Sequence, residues 1–257
     1  MKLRLTMLGM VCLLIAGIAG IAGAQEGPGT VGRIYTFKVK AGMEQQFEDA
    51  VKEHFQWRQQ QGDPWTWMAF TIETGEKSGQ YGFVSSGHHW ADFDAYDAEF
   101  REVVTANFRL TVWDYVESYE NIITESLPDF SKPPGDDFDF RMAQIFHYNL
   151  KYDQVRNFTN AIAKINKALV KAEWPAHYSW STLVNGGPGP VYTLVVYHDS
   201  WASMQEPDTS FPAVLEHTYG RLDADAIMST ISDAVWNVES WMARLRPDLS
   251  YVPAAGY

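Results

Sequence analysis

The sequence predicts an α+β fold made of two tandem units, each with the element order β-α-β-β-α-β. Three observations support this prediction. The chain resembles itself at an offset of 111 residues, so that Phe47 aligns with Phe158. Each copy opens with bulky and polar residues in alternation and continues with apolar residues at helical spacing. A segment rich in Pro, Gly and Asp, residues 131–140, separates the two copies.

The internal similarity extends along most of each copy in a single order. RIYTFKVKAGMEQQFEDAVKEHF lies over QIFHYNLKYDQVRNFTNAIAKIN. Trp67 matches Trp180 after a shift of two residues, and Trp90 matches Trp201 at the original offset. Further along, VESY corresponds to VESW, and LPDF corresponds to RPDL. Because these matches keep the same order with only small gaps, they indicate a duplication.

The first strand and first helix of each copy follow from their periodicity. IYTFKVK and QIFHYNL alternate bulky and polar residues, which predicts half-buried strands. Apolar residues then recur at helical spacing, at Met43, Phe47, Ala50, Val51 and His54 in the first copy and at Phe158, Ile162, Ile165 and Leu169 in the second. These stripes predict one helix per copy, and the second helix should end before Pro175.

Two more strands, a helical region and a last strand complete each copy. WTWMAFTIE and QYGFVSS are joined by TGEKSG, and YSWSTLV and VYTLVVYH are joined by NGGPGP. Both joints are rich in turn residues and predict hairpins. Helical regions are predicted at 91–116 and 210–238, and the last extended segments at 118–126 and 240–246.

This element order is the split β-α-β pattern of a ferredoxin-like unit. A four-stranded sheet with both helices on one face leaves its other face bare, and closing two such sheets on each other buries that surface. We therefore predict two tandem ferredoxin-like units that form an intramolecular pseudo-dimeric α+β barrel. The predicted limits are residues 25–130 for the first unit, 131–140 for the linker, 141–251 for the second unit and 252–257 for a C-terminal tail.

The first 24 residues have the layout of a secretory signal peptide. Lys2 and Arg4 precede an apolar core, and the small residues up to Ala24 follow it. The core is shorter than the roughly 20 residues that a spanning helix needs, so we expect cleavage after Ala24 and no membrane span in the mature chain. The one cysteine, Cys12, lies in this leader, so no disulfide is expected. A periplasmic or secreted protein is predicted.

Composition argues against a partner that carries many phosphates. The chain has 20 Lys and Arg against 32 Asp and Glu, a formal net charge of −12. Such a chain offers no basic surface to nucleic acid or to an anionic membrane. With 46% hydrophobic and 14% aromatic residues it can bury a core. We expect a small molecule as partner, and a monomer that is itself a pseudo-dimer or a higher homo-oligomer.

The element order and the duplication together resemble the dimeric α+β barrel superfamily, in particular members with two ferredoxin-like units fused in one chain. The resemblance covers residues 31–251. It implies a pocket between sheet and helices, or inside the barrel, in each half. Relatives include cofactor-independent monooxygenases, haem-binding and haem-degrading proteins and small-molecule isomerases. No stretch matches a catalytic signature of these relatives, so the resemblance predicts the fold and not the reaction.

Histidines at two equivalent strand ends are candidates for chemistry. His88 and His198 end the third strand of each copy, and a tryptophan follows each closely. Imidazoles there could hold a haem iron or act as a general base. The alternative is that histidine and aspartate cap the next helix. His54 stands on the apolar helix stripe where the second copy has Ile165, and this position predicts a satisfied core residue.

Polar residues on one face of the first strands are the other candidates. His147 is in phase with Asn149, and the equivalent residues of the first copy are Thr36 and Lys38. A polar strand face towards the barrel interior suits a ligand cavity, and the alternative is that these side chains satisfy one another or reach solvent. Aromatic residues could line such a pocket or serve only packing. The predicted pocket residues are Thr36, Lys38, Trp67, His88, His147, Asn149, Trp180 and His198.

We therefore predict an exported protein that binds a small hydrophobic or planar molecule in a barrel pocket, with an oxygenase-like or haem-binding role and haem as the candidate cofactor. The alternative is a non-catalytic structural or interaction protein of the cell envelope. No catalytic residue is assigned, and no motif such as HExxH predicts a dedicated metal site. His54 of the first copy aligns with Ile165 of the second. This difference favours the small-molecule-binding hypothesis, because the two copies of a duplicated binding site diverge in sequence when only one copy keeps the binding role.

Overall fold

The computed structural model describes residues 28–135 and 137–253. The predicted signal peptide, residues 1–24, lies outside the described residues, as does most of the predicted tail. Within the described ranges, no helix has both the length and the apolar character needed to cross a membrane.

Eight strands of the described chain form one closed antiparallel barrel, with six helices packed on it. The strands are β1 (Val31–Val39), β2 (Met68–Ile72), β3 (Tyr81–His88), β4 (Val116–Ser126), β5 (Met142–Leu150), β6 (His177–Asn185), β7 (Val191–His198) and β8 (Val235–Leu245). The helices are α1 (Glu44–Gln60), α2 (Trp90–Glu99), α3 (Arg101–Thr111), α4 (Val155–Lys171), α5 (Phe211–Tyr219) and α6 (Arg221–Ala234). The α+β class predicted from the sequence is confirmed.

The two halves of the chain contribute four neighbouring strands each, in the same arrangement. The first half has the sheet order β4-β1-β3-β2, and the second half has the order β8-β5-β7-β6. The two arrays join at their edges, where β2 pairs with β8 and β4 pairs with β6. Every strand therefore has a partner on both sides, and closure removes the exposed edges that an open sheet would present.

Alternation along the strands separates two faces of the barrel wall. In β1, Phe37 faces α1 and packs in one core cluster with Phe47. In β5, Leu150 packs in a second cluster with Phe158. Both of these helix phenylalanines have no exposed surface, and burying such a side chain stabilises a fold by about 1.5–3 kcal/mol. Each half thus has its own core between sheet and helices.

The predicted second helical regions, 91–116 and 210–238, are each two helices. In the second half the break falls at Gly220, whose φ of 78° is in the left-handed region that favours glycine. In the first half the break falls at Phe100, which keeps a right-handed backbone. The last strands begin at Val116 and Val235, earlier than the predicted starts at residues 118 and 240.

A half-buried ion pair connects the end of the second half to a helix of the first. Arg246 follows β8, and its two terminal nitrogens donate to the two carboxylate oxygens of Glu48 in α1, at 2.8 and 2.7 Å. The hydroxyl of Tyr81 donates to the same carboxylate at 2.8 Å. Hydrogen bonds from Arg246 hold the pKa of Glu48 below its ordinary value. Bidentate pairs of this kind are among the stronger charged contacts in proteins.

We expect Glu48→Gln to lower the free energy of unfolding by about 1–3 kcal/mol at pH 7, because charged hydrogen bonds are lost. The pKa of Glu48 is lower in the folded than in the unfolded protein. Glu48 therefore contributes its full share of the free energy of unfolding above the ordinary pKa, and this contribution is lost as pH falls through the pKa of the folded state. The gap between wild type and variant should therefore shrink in acid. Urea unfolding from pH 7 to pH 3 measures it.

The matched control is Glu206→Gln, which changes an exposed carboxylate and should leave the unfolding free energy nearly unchanged. A gap between wild type and Glu48→Gln that stays constant with pH would show that the ion pair does not carry this stability.

Candidate functional site

A cavity of about 470 Å³ lies in the first half, between the helix-facing side of the sheet and helices α1 and α3. Its wall is mostly aromatic and includes Tyr35, Phe37, Phe55, Trp65, Trp67 and Phe108. Small-molecule pockets are typically about 300–1,000 Å³ and lined by apolar and aromatic groups with a few polar ones. The size and the lining therefore suit a hydrophobic small molecule.

The charged residues of this cavity are all cationic. Arg33 is half-buried, and its Nε donates to Oδ1 of Asn121 at 3.2 Å. Arg101 is exposed and pairs with Asp97. Arg109 is exposed and has no acidic partner in the described part of the chain. No carboxylate lines the cavity, whose arginines are Arg33, Arg58, Arg101 and Arg109. In a chain of net charge −12, the cavity therefore has positive charge at Arg33 and Arg109 that is unpaired among the described residues and could attract an anion.

Arg58 differs from the other three arginines because it is buried together with a carboxylate. Arg58 is 5% exposed to solvent, and Asp63 is 1% exposed. Nε and Nη2 of Arg58 lie 2.8 and 2.7 Å from Oδ2 of Asp63. Nη2 also donates to the hydroxyl of Tyr96 at 2.8 Å. The guanidinium lies against the rings of Phe55 and Trp67, 5.5 and 5.3 Å from their centroids. A buried charge is tolerated when it is paired in this way.

The carboxylate of this pair is held by further contacts. The Tyr96 hydroxyl donates to Oδ2 of Asp63 at 2.8 Å, and the backbone N–H of Trp65 donates to Oδ1 at 2.9 Å. Burial raises the pKa of Tyr96, so its hydroxyl keeps the proton that it donates. The hydroxyl of Tyr251, near the end of the chain, donates to the backbone carbonyl of Asp63 at 2.6 Å. These bonds fix the loop that follows α1 and, with it, the guanidinium of Arg58.

His54 lines the same cavity from α1. Its Nδ1 lies 2.6 Å from Oδ1 of Asn107 in α3. An amide oxygen only accepts hydrogen bonds, so Nδ1 carries the proton and Nε2 keeps a lone pair. Burial lowers the pKa of His54 to about 4, so the imidazole is neutral at pH 7. A neutral imidazole whose Nδ1–H is held by an acceptor is the form in which histidine binds a metal ion.

The equivalent space in the second half is filled by apolar side chains. Ile165 and Leu169 occupy the positions that correspond to His54 and Arg58. Both pack in the second-half core with Val214 from α5. A separate groove of about 520 Å³ lies between α4 and α6, and its lining is mostly polar. The apolar cavity with arginines is therefore a feature in which the two halves differ.

Among the eight residues predicted to line a pocket, Trp67 lines this cavity. Trp180, its counterpart, packs edge-to-face on Phe158 in the second-half core. His88 lies beside the cavity wall, where its ring stacks on Trp65 at 3.9 Å. His198 ends β7, and its Nε2 is buried without a hydrogen-bond partner among the described residues. These four residues lie on the helix side of the wall or at strand ends.

The remaining four predicted residues lie on the strand face opposite the helices, where His147 is half-buried and Lys38 is exposed to solvent. The ring of His147 contacts Trp241 at 4.5 Å, and burial lowers the pKa of this histidine to about 4. Asn149 donates to the carboxylate of Glu239 at 3.2 Å. On β1, Thr36 and Lys38 occupy the equivalent positions, and Nζ of Lys38 donates to Glu117 at 2.7 Å. The structure thus distributes the eight residues over both faces of the wall and does not bring them together.

The predicted helix cap is present next to His88. His89 is the N-cap of α2, and its backbone N–H donates to Oδ2 of Asp92 at 2.7 Å, completing a capping box. At this strand end, helix capping by histidine and aspartate, the alternative given above, is therefore observed for His89 and Asp92.

Sequence reasoning missed the arginines. It predicted His54 as a satisfied core residue, and His54 is indeed buried with Nδ1 held by Asn107, but it also lines the cavity. The available signal was the apolar stripe of α1, on which His54 is followed one turn later by Arg58. The second copy has isoleucine and Leu169 at these two positions. Two polar residues on a buried stripe, at positions that are apolar in the repeat, indicate a cavity in one half. The partners Tyr96 and Asn107 come from other helices, and spacing alone does not identify them.

No family model matches the chain, and no curated protein matches it in sequence. Solved structures do match in fold. The alignment with a proposed monooxygenase from Lactobacillus acidophilus includes 88% of this chain and 97% of the monooxygenase, with 11% identity and a TM-score of 0.54. The alignment with an anthrone oxidase-like protein includes 84% of this chain and 91% of that protein, with 9% identity and a TM-score of 0.50. The alignment with a chlorite dismutase variant from Candidatus Nitrospira defluvii includes 87% of this chain and 94% of the dismutase, with 7% identity and a TM-score of 0.53. At these identities the likeness shows a fold similar to that of the dimeric α+β barrel proteins, as predicted, and nothing of activity.

The state of His54 gives a pH prediction. The ordinary pKa of histidine is 6.5, and burial lowers that of His54 to about 4. Between these two values the unfolded chain binds a proton that the folded chain does not, so His54 should reduce stability as pH falls from 6.5 towards 4, by about 1 kcal/mol per pH unit. In His54→Ile, which carries the residue of the second half, this part of the pH dependence should disappear.

Denaturant unfolding of both proteins between pH 7 and pH 4 measures the difference, and NMR titration of the imidazole carbons locates the His54 titration directly. An unchanged pH dependence in the variant, or an imidazole that protonates near pH 6.5, would contradict the described environment of His54.

Proposed function

We propose that the protein binds a planar, hydrophobic small molecule that carries an anionic group, in the cavity between the sheet and helices α1 and α3. The observation that supports this is an aromatic cavity whose lining includes four arginines and no carboxylate, in a chain of net charge −12. Arg33 and Arg109 have no acidic partner among the described residues, so they can attract and orient an anion at this cavity.

The expected orientation of the ligand follows from the burial of the arginines. The ring system would lie among Tyr35, Trp67 and Phe108, where stacking and area burial favour aromatic molecules. Its anionic group would lie at the mouth, within reach of Arg33 and Arg109. Guanidinium groups bind carboxylates through two parallel hydrogen bonds, so a carboxylate suits this position better than a halide or another spherical anion.

Haem is the candidate cofactor that the residues of this cavity fit. It is planar and hydrophobic and carries carboxylates, and it would supply redox chemistry at its iron when bound. His54 would hold the iron through Nε2, because Asn107 fixes the proton on Nδ1. A pKa of about 4 makes His54 a weak general base. The imidazole is therefore better suited to binding a metal than to removing a proton from a substrate.

An oxygenase-like role is the extension of this proposal. The fold neighbours include a proposed monooxygenase, an anthrone oxidase-like protein and a chlorite dismutase. An aromatic cavity that excludes water would protect a reactive intermediate from side reactions. We further propose that the halves arose by duplication of one ferredoxin-like unit, with the limits given above, and that residues 1–24 direct export.

Binding is tested with anthraquinone-2-carboxylate and its neutral analogue 2-(hydroxymethyl)anthraquinone. Both ligands should quench tryptophan fluorescence, because Trp65, Trp67 and Trp113 line the cavity. The carboxylate should bind more tightly, and added salt should reduce this preference. Arg33→Gln and Arg109→Gln should each weaken binding of the carboxylate by about fivefold, the equivalent of about 1 kcal/mol, and leave binding of the neutral analogue nearly unchanged.

The matched control is Arg221→Gln, which removes an exposed arginine of α6 far along the chain from the cavity. Haemin is the third ligand, and its Soret band should shift on binding to wild type and not to His54→Ile. Absence of binding by all three ligands would reject the proposal and favour the alternative, a non-catalytic structural or interaction protein of the cell envelope.

A further inference from the structure

The two ends of the cavity differ in net charge. At the mouth, Arg33 and Arg109 have no carboxylate partner among the described residues. At the buried end, the charge of Arg58 is balanced by Asp63 at 2.7 Å. A full negative charge on the ligand is therefore favoured at the mouth. At the buried end a second carboxylate would be desolvated without a matching cation, which is costly.

Arg58 nevertheless has hydrogen-bonding capacity that the protein does not use. Its Nε and Nη2 are engaged by Asp63 and Tyr96. Its Nη1 makes no hydrogen bond within the described residues, although guanidinium presents five N–H donors in one rigid plane. The indole Nε1 of Trp67, against which the guanidinium lies, is a buried donor without an acceptor in the described chain. Native proteins rarely leave a buried donor unsatisfied, and a bound ligand is one of the reasons that they do.

The contacts around Arg58 also prevent the guanidinium from turning to find another partner. Asp63 holds two of its nitrogens, and Asp63 is itself held by the backbone N–H of Trp65 and by the hydroxyl of Tyr96. Tyr251 holds the backbone carbonyl of the same aspartate. Nη1 is therefore a fixed donor on a residue that lines the cavity. A donor that is positioned before the ligand arrives loses little entropy on binding.

We propose that Arg58 is a specificity-determining residue, whose Nη1 donates a hydrogen bond to a carbonyl or phenolic oxygen at the buried end of the ligand. This inference rests on the proposed function and narrows its ligand class. The ligand is a planar polycyclic molecule that bears a carbonyl or phenolic oxygen at one side and an anionic group at the other. Because the donor is charged, its hydrogen bond strengthens as negative charge on the acceptor oxygen grows, so removing Nη1 should disfavour the ionised form of a phenol at this position relative to wild type.

The test uses rhein, an anthraquinone that carries a carboxylate and two phenols beside a carbonyl. Its visible absorption changes when a phenol ionises, so a pH titration gives the ionisation constant of the free and of the bound ligand. Burial alone lowers the ionisation constant of a phenol, so wild type and variants are compared in the bound state. The ionisation constant of bound rhein should be at least about threefold higher with wild type than with the double variant Arg58→Met with Asp63→Asn. Both partners are changed together because a lone buried carboxylate would destabilise the fold.

A second variant covers failure of the double variant to fold. Arg58→Lys keeps the positive charge and loses the planar fork, so the ionisation constant of bound rhein should fall below the wild-type value. Arg109→Gln should weaken rhein binding and leave the ionisation constant of bound rhein close to the wild-type value, since Arg109 lies at the mouth. Arg221→Gln, on α6, should behave as wild type.

The outcomes separate this inference from the proposed function. An ionisation constant of bound rhein that is higher with wild type than with both Arg58 variants supports the role of Arg58. Bound rhein with the same ionisation constant in wild type and in both Arg58 variants overturns that role alone. The role is also overturned if anthraquinone-2-carboxylate binds and rhein does not. Failure of both compounds to bind overturns the proposed function itself.

Discussion

Closure of the sheet is the constraint on which the rest of the structure depends. The pairings of β2 with β8 and of β4 with β6 join two four-stranded arrays into one barrel. Once the wall is closed, alternate residues of every strand are committed either to the interior or to the helices. The interior is occupied by side chains such as His147 and Trp241, which contact each other. Space for a ligand is then found between the outer face of the wall and the helices.

The way in which each half uses that outer space differs, although the element order is the same. Leu169 and Ile165 fill it in the second half. The corresponding residues of the first half are polar, and each needs a partner from another element. His54 has Asn107, and Arg58 has Asp63 and Tyr96. The first pair joins α1 to α3, and the second joins α1 to the loop that follows it and to α2. Stability and site formation therefore depend on the same contacts.

The fold could be predicted from the sequence further than the site could. Strands and helix stripes depend on local periodicity, which a single chain displays, and the sequence similarity between the two halves predicted which segments correspond. The cavity depends on how far α3 lies from β1, which is set by packing among distant segments. The polar alternation at His147 and Asn149 correctly indicated one face of β5, but it carries no information on whether that face borders a space. Arg58 lies on the buried stripe of α1 at the position that aligns with Leu169. Its role could be inferred only from the structure, which places Tyr96 and Tyr251 beside it.

The central claim is that the cavity of the first half, and neither the barrel interior nor the second half, is the ligand site. The most direct measurement is a crystal structure of the protein with a brominated anthraquinone carboxylate, in which anomalous scattering from bromine locates the ligand. We expect one dominant bromine peak between β1 and helices α1 and α3, with the carboxylate near Arg33 and Arg109. A dominant peak inside the barrel, or between β5 and α4 in the second half, would contradict the account.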